Sequence, residues 1–207
     1  HVARIGSACD RPFHPLGETD ETLLHLGDHY LATLDDKVRA VMEASSVPPR
    51  RTRIPLAASS NVWLSIFRGA RGPYFDSVES LLSQFALFQP AVKGVEFGDG
   101  FSLAGMRGSE ANDPMTIKGI SRYDDKPQWR YPGRPYNGHA LLFRVVVKPT
   151  ASIYQPQHTV NIKTHEETIL EIKGRHDPCI VPRAVPVVEA MTAWALCDLM
   201  LCREREL

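Results

Sequence analysis

Residues 174–191 read GRHDPCIVPRAVPVVEAM and carry the densest set of chemical groups in the chain. Arg175, His176 and Asp177 follow one another directly, and three prolines punctuate the segment. Each proline fixes its own φ and biases the residue before it towards extended geometry, which predicts that Asp177 and Val181 lie in a stiff, non-helical loop. Arginine offers a planar fork to phosphate or carboxylate, so the loop is suited to an anionic ligand. The alternative is a charged surface loop that caps the next helix.

An apolar run at helical spacing follows Pro186, and proline is well suited to the first turn of a helix. The pattern predicts a buried helix that ends near Arg203. Its apolar positions are Val187, Val188, Met191, Trp194, Ala195 and Leu199.

Composition excludes several classes of protein. The 207 residues include 24 basic and 24 acidic side chains, a balance that does not favour broad binding to nucleic acid or to an anionic membrane. No unbroken apolar run reaches the roughly 18 residues that span a bilayer, and no apolar signal-peptide core opens the sequence. The four cysteines form no CxxC pair and are interpreted as reduced thiols of a cytoplasmic protein. His25 and His29 are one helical turn apart without a third ligand nearby, so we predict no metal site.

Hydrophobic periodicity predicts helices and strands in alternation along the chain. Helices are predicted over residues 19–43 and 75–88, the second capped by Asp76, with Phe88 on its buried face. Strands are predicted at residues 1–6, 61–67, 92–97, 140–147, 159–162 and 168–172, with a tight turn at residues 98–100.

Four segments resemble one known family. Residues 174–191 are similar to the C-terminal signature of chorismate synthases, GRHDPCxxPRAVPVVEAM. Residues 73–101 resemble the family's PxFDxxxxxLxxAxxxxPAVKGVEFGDGF segment, residues 107–114 its RGSExNDP loop, and residues 148–152 (KPTAS) its KPTxS turn. Their order and spacing agree with the family, so residues 1–207 are identified as one partial, C-terminal portion of a chorismate synthase domain.

The resemblance implies an α+β fold in which helices are sandwiched between antiparallel sheets. It also implies a carbon–oxygen lyase of the shikimate pathway, which serves aromatic amino acid biosynthesis. That flavoprotein eliminates phosphate from 5-enolpyruvylshikimate 3-phosphate in an anti-1,4 sense to give chorismate. It needs reduced FMN, with NADPH as an associated reductant, although the reaction has no net redox change. Family members are cytoplasmic homotetramers.

The resemblance also assigns roles to individual residues. Arg175 matches an arginine shared between flavin and substrate, and Asp177 matches an aspartate near the flavin N5 that helps to remove a proton. His176 stands between these two and is counted with them as catalytic. The flavin-binding set that the resemblance implies is Ala91, Lys148, Pro149, Thr150, Ala151, Ser152 and Arg175.

The sequence also departs from the family pattern. The family's GESHG, RPGHAD, RASARET and GDSxGG motifs do not occur in it, and residues 116–138 stand where the family has a glycine-rich NxxGGIxGGISNG run. Two hypotheses follow. The chain is either a chorismate synthase-type lyase or a non-catalytic remnant that binds anionic ligands or partner subunits. A third, an unrelated nucleotide-binding module, depends only on the basic residues 50–53.

Overall fold

The computed structural model describes residues 1–11, 20–46, 58–64, 77–111, 141–153, 155–173, 177 and 179–204. The strands are β1 (Val2–Ile5), β2 (Ala8–Cys9), β3 (Ala58–Leu64), β4 (Val92–Phe97), β5 (Leu141–Val147), β6 (Gln157–Val160) and β7 (Glu167–Leu170). The α-helices are α1 (Asp20–Leu26), α2 (Asp36–Ser46), α3 (Val78–Phe88) and α4 (Val181–Glu204), and a 3-10 helix spans Gly100–Gly105.

Five strands form one antiparallel sheet in the order β2-β1-β3-β5-β4, and β6 and β7 form a separate antiparallel pair. Strand β5 lies between β3 and β4, and it shows the alternation expected of a strand with one face on the core. Phe143, Val145 and Val147 are buried, whereas Val146 on the opposite face is exposed. Helices and antiparallel sheets in one chain confirm the predicted α+β class.

Helices α3 and α4 pack against each other and against the five-stranded sheet, and their apolar stripes complete its core. Val78, Leu82 and Ala86 supply the buried face of α3, and Val188 and Ala195 supply that of α4. At the β2 edge of the sheet, α2 packs against β1 and β2, and Leu31 and Met42 are fully buried.

The predicted helix over residues 19–43 is wrong in one respect, because the chain forms two helices with an irregular segment between them. Gly27 ends α1, where its N–H and that of Asp28 turn back to Leu24 and His25. The chain restarts at Asp35, whose carboxylate accepts a hydrogen bond from the N–H of Lys37 at 2.8 Å. The low helix propensity of Gly27 and the N-terminal cap by Asp35 favour two helices, although the continuous apolar spacing predicted one.

The start of α4 also differs from the prediction. The helix begins at Val181, which was expected in the loop, and Pro186 lies inside it rather than at its start. Pro182 takes the second helical position, where a backbone N–H has no hydrogen-bond partner within the helix. Its missing N–H therefore costs no helical hydrogen bond, and the prolines of this segment do not shift the start of the helix towards the C-terminus. Asp177 does stay outside the helix, as predicted.

The C-terminal helix is only partly buried, contrary to the prediction. Val188 and Ala195 are buried, but Val187 and Trp194 are exposed. The stretch Val181–Cys202 is long and apolar enough to cross a membrane by length and composition alone. Core helices of soluble proteins meet the same criterion, so length and composition alone are weak evidence for a membrane span.

The second predicted helix forms as α3, with two corrections. Ser77 provides the N-cap, because its hydroxyl accepts a hydrogen bond from the N–H of Ser80 at 3.2 Å. Phe88 is exposed rather than buried, and Ala86 takes its place in the core. The predicted cap Asp76 lies outside the described residues. All six predicted strands form within a few residues of their expected positions, and residues 65–67 and 140 lie outside the described part.

Candidate functional site

The antiparallel ladder between β4 and β5 brings two predicted flavin-binding segments together. Val92 at the start of β4 pairs with Val147 at the end of β5. One step further, the N–H of Lys148 donates a hydrogen bond to the carbonyl oxygen of Ala91 at 2.9 Å. The KPTAS turn after β5 and the turn before β4 therefore lie side by side at one end of the sheet.

The turn before β4 holds Ala91 in a left-handed conformation with φ 78°. The N–H of Val92 donates to the carbonyl oxygen of Gln89 at 3.2 Å, which closes a four-residue turn with Pro90 at its second position. Proline followed by a residue of positive φ is the pattern of a type II turn. Alanine adopts such a φ at a cost of about 1 kcal/mol or more, so this backbone is held by the structure around it.

A third segment reaches the same place from the loop that precedes α4. The hydroxyl of Thr150 donates a hydrogen bond to the backbone carbonyl of Asp177 at 3.2 Å. The structure thus brings Ala91, the KPTAS turn and Asp177 together, although they lie far apart in sequence. Arg175 and His176, the other two predicted catalytic residues, lie outside the described residues.

Asp177 has an ionic partner that the sequence analysis missed as a site residue. Nη1 of Arg183, in the first turn of α4, lies 2.7 Å from Oδ2 of Asp177. The Asp177 side chain is 39% exposed and that of Arg183 is 71% exposed, so the pair contributes little to stability. Its effect is to orient one carboxylate oxygen. No local sequence pattern indicated this pair, because it depends on the early start of α4, which places Arg183 one turn from the loop.

The predicted flavin-binding turn offers groups that fit a phosphate and a polyhydroxylated chain. Lys148 is exposed and carries an ammonium group, while Thr150 and Ser152 add hydroxyls that can donate or accept. The backbone of the turn at Ala91 lies next to these side chains, because Lys148 is hydrogen-bonded to Ala91. Such donors are chemically suited to the phosphate and hydroxyl groups of the flavin that the resemblance implies. Within the described ranges, no group of three His, Cys, Asp or Glu side chains is arranged to hold a metal.

Cys179 lies between the loop and α4 and is buried, whereas Cys9, Cys197 and Cys202 are exposed, and all four are free thiols. Burial raises the pKa of the Cys179 thiol above its ordinary value of 9.0, and a backbone hydrogen bond with Val181 opposes part of this shift. The thiol is therefore protonated at neutral pH and behaves as a small apolar side chain.

This burial predicts a loss of stability at alkaline pH. Because the folded-state pKa of Cys179 is raised, its contribution is fully present below about pH 9 and is lost as pH rises through the folded-state pKa. Urea unfolding from pH 7 to 10 should show a steeper loss for the wild type than for Cys179→Ala. Cys197→Ala, at an exposed thiol, should follow the wild type. Parallel curves for wild type and Cys179→Ala would contradict the expectation.

Sequence similarity relates about two thirds of this chain to known proteins. The model of the chorismate synthase family matches residues 59–201. A curated chorismate synthase of Archaeoglobus fulgidus is 47% identical over 134 residues, which are 64% of this chain and 37% of that protein. The chorismate synthase of Dehalococcoides mccartyi strain 195 is 51% identical over the same share of each chain, 64% and 37%. That of Thermococcus gammatolerans is 46% identical over 69% of this chain and 40% of its own length.

A crystal structure of chorismate synthase superimposes on this chain with a TM-score of 0.61 at 21% identity, covering 98% of this chain and 56% of that one. At this identity the likeness shows the fold alone. The chain is thus an α+β protein whose strand-end turns form a candidate site for an anionic ligand. It belongs to the chorismate synthase family, and it spans well under half the length of the curated relatives it matches.

Proposed function

We propose that this chain carries the flavin-binding part of a chorismate synthase-type lyase. The proposed reaction eliminates phosphate from 5-enolpyruvylshikimate 3-phosphate to give chorismate, in a cytoplasmic, homo-oligomeric protein of the shikimate pathway. The observation that carries the proposal is the convergence of Ala91, the KPTAS turn and Asp177, three segments that the family resemblance assigns to one site.

Each described residue has a task in this proposal. Lys148 and Ser152 bind the phosphate and hydroxyl groups of FMN, and the hydrogen bond from Thr150 holds the Asp177 backbone against that turn. Arg183 orients the Asp177 carboxylate, which would accept a proton from N5 of a bound flavin. Arg175 and His176 are proposed to complete the site. Reduced FMN supplies the electron-rich ring that assists loss of phosphate.

The alternative function is a non-catalytic family member that binds anionic ligands or partner subunits. The observation that favours it lies inside the chain, because residues 116–138 stand where the family has the glycine-rich NxxGGIxGGISNG run. Both functions use the same turns as an anion site. They differ in whether the substrate and FMN bind together and whether chorismate is formed.

A fluorescence titration of FMN tests the proposal. We expect saturable quenching that becomes tighter when 5-enolpyruvylshikimate 3-phosphate is present. Lys148→Ala should weaken FMN binding by about 10-fold to 100-fold, because a hydrogen bond to a charged group contributes about 1.5 to 3 kcal/mol.

Lys163→Ala is the matched control, since Lys163 is an exposed lysine in the β6–β7 turn. No quenching at high micromolar protein, or equal weakening in both variants, would refute the flavin site. A parallel assay for chorismate then separates the two functions. FMN binding without turnover would support the non-catalytic member.

A further inference from the structure

Strand β4 carries one extra residue relative to β5, next to the candidate site. Val92 pairs with Val147, and the next pair is Gly94 with Val146, so β4 advances two residues where β5 advances one. This is the pairing of a β-bulge, with Lys93 as the additional residue. Bulges occur next to active sites, where they change the direction in which a side chain points.

The burial of β4 shows why the strand needs this extra residue. Val92 is buried, and Val95 and Phe97 pack against the same core. Glu96 lies on the opposite face, where its carboxylate contacts Nε of Arg144 at 2.9 Å. Strict alternation from Val92 would turn Val95 away from the core, because side chains of a regular strand change face at every residue. One additional residue between them restores Val95 to the core.

The bulge therefore places Lys93 and Gly94 together on the outer face of the sheet, away from α3 and α4. A Cβ on Gly94 would lie 3.0 Å from Cγ1 of Val146, which is an exposed side chain of that face. Such a contact is tighter than ordinary packing, so glycine fits beside Val146. Because glycine has no side chain, position 94 does not cover the outer face beside Lys93. Lys93 is exposed, in agreement with this placement.

Lys148 reaches the outer face at the same end of the sheet. Val147 is buried, so the alternation of β5 directs the next side chain outwards, and Lys148 is exposed. Its N–H donates to the carbonyl oxygen of Ala91, two residues before Lys93. Among the residues that the structure describes, neither lysine forms an ion pair. Like charges on neighbouring strands are unfavourable, and an anion held between them removes that cost.

We propose that Lys93 is a second phosphate-binding residue, which acts with Lys148 across the β4–β5 ladder to hold a phosphate monoester. A phosphate monoester carries about −1.5 to −2 charges at pH 7, which matches two ammonium groups. The inference deepens the proposed function and rests on it where the phosphate is that of FMN. In that case Lys93 makes the site selective for FMN over riboflavin, which has no phosphate. The two lysines can hold a phosphate without a flavin, so the two proposals can fail separately.

Fluorescence titrations with FMN and with riboflavin test this selectivity. Lys93→Met removes the charge from an exposed side chain of similar length, so it should weaken FMN binding on the order of tenfold and leave riboflavin binding unchanged. Lys93→Arg keeps the charge and should retain FMN binding. Lys163→Met, in the exposed β6–β7 turn, is the matched control and should bind both flavins like the wild type. Equal weakening for both flavins, or unchanged FMN binding by Lys93→Met, would overturn the role of Lys93.

Lysine acylation followed by mass spectrometry separates this inference from the proposed function. N-hydroxysuccinimidyl acetate modifies accessible amines, and inorganic phosphate replaces the flavin as the probe. At matched ionic strength, phosphate should slow the acylation of Lys93 and Lys148 relative to chloride and leave Lys163 unaffected. Protection of both lysines in a chain that does not bind FMN would refute the flavin site and support the lysine pair. Protection of Lys148 alone, or of neither lysine, would overturn the pair even where FMN binds.

Discussion

Replacing Phe143 by alanine is expected to lower the free energy of unfolding by about 3 to 5 kcal/mol. The side chain is 1% exposed at the middle of β5, the central partner of β3 and β4. Its ring lies 5.6 Å from that of Phe97, centroid to centroid, on the neighbouring strand. Truncation removes this aromatic contact and leaves a cavity under the strand that carries the KPTAS turn. Urea unfolding followed by circular dichroism measures the loss.

Val146→Ala is the matched control for this prediction. Val146 is in the same strand, but it points to the opposite face and is 40% exposed. Its truncation should cost less than about 1 kcal/mol. Similar losses for the two variants would mean that the buried face of β5 has been assigned to the wrong side.

The second large effect is expected at Asp10, whose replacement by alanine should cost about 2 to 3 kcal/mol. The carboxylate is fully buried and accepts hydrogen bonds from the N–H groups of Leu34 at 2.6 Å, Asp35 at 3.1 Å and Arg11 at 2.9 Å. Alanine leaves these donors without the carboxylate at the point where the β1–β2 hairpin meets the start of α2. The same urea experiment gives the free energy of unfolding.

Asp28→Ala provides the comparison for Asp10. Asp28 is 69% exposed, and its Oδ2 lies 3.1 Å from Nδ1 of His25, an equally exposed side chain in the last turn of α1. Its removal should change the free energy of unfolding by less than about 0.5 kcal/mol. If Asp10→Ala were equally mild, the carboxylate would not be the link between the hairpin and α2.

Local sequence patterns predicted the strands well and the helix boundaries less well, for physical reasons. A strand such as β5 is a run of apolar residues interrupted only by Arg144, and burial on the sheet leaves it few alternatives. Apolar spacing alone did not reveal the break after α1, because a distant carboxylate, that of Asp10, stabilises the new backbone direction at Leu34 and Asp35. Phe88 was assigned to the core by spacing, but the buried face of α3 consists of Val78, Leu82 and Ala86, and a residue two positions beyond Ala86 lies on the opposite face of the helix.

The candidate site was predictable where it depended on motifs and not where it depended on contacts. The family resemblance assigned Ala91, the KPTAS turn and Asp177 to one site. The register between β4 and β5 explains why Ala91 lies beside the KPTAS turn. Arg183 was missed because its role depends on the helix starting at Val181, which the prolines had argued against. The ion pair is a property of three-dimensional placement rather than of residue type.

The position of β5 between β3 and β4 has a consequence for how fast the chain folds. Ala58 pairs with Val147 and Leu64 pairs with Leu141, so each of these contacts closes a loop of roughly 80 residues. Chains whose contacts are this distant in sequence fold in milliseconds to seconds rather than microseconds. The turns at Ala91 and Lys148 meet when β4 pairs with β5, which closes a further loop of roughly 50 residues. Ligand binding at these turns would therefore report formation of this long-range pairing, because no short segment of the chain contains both turns.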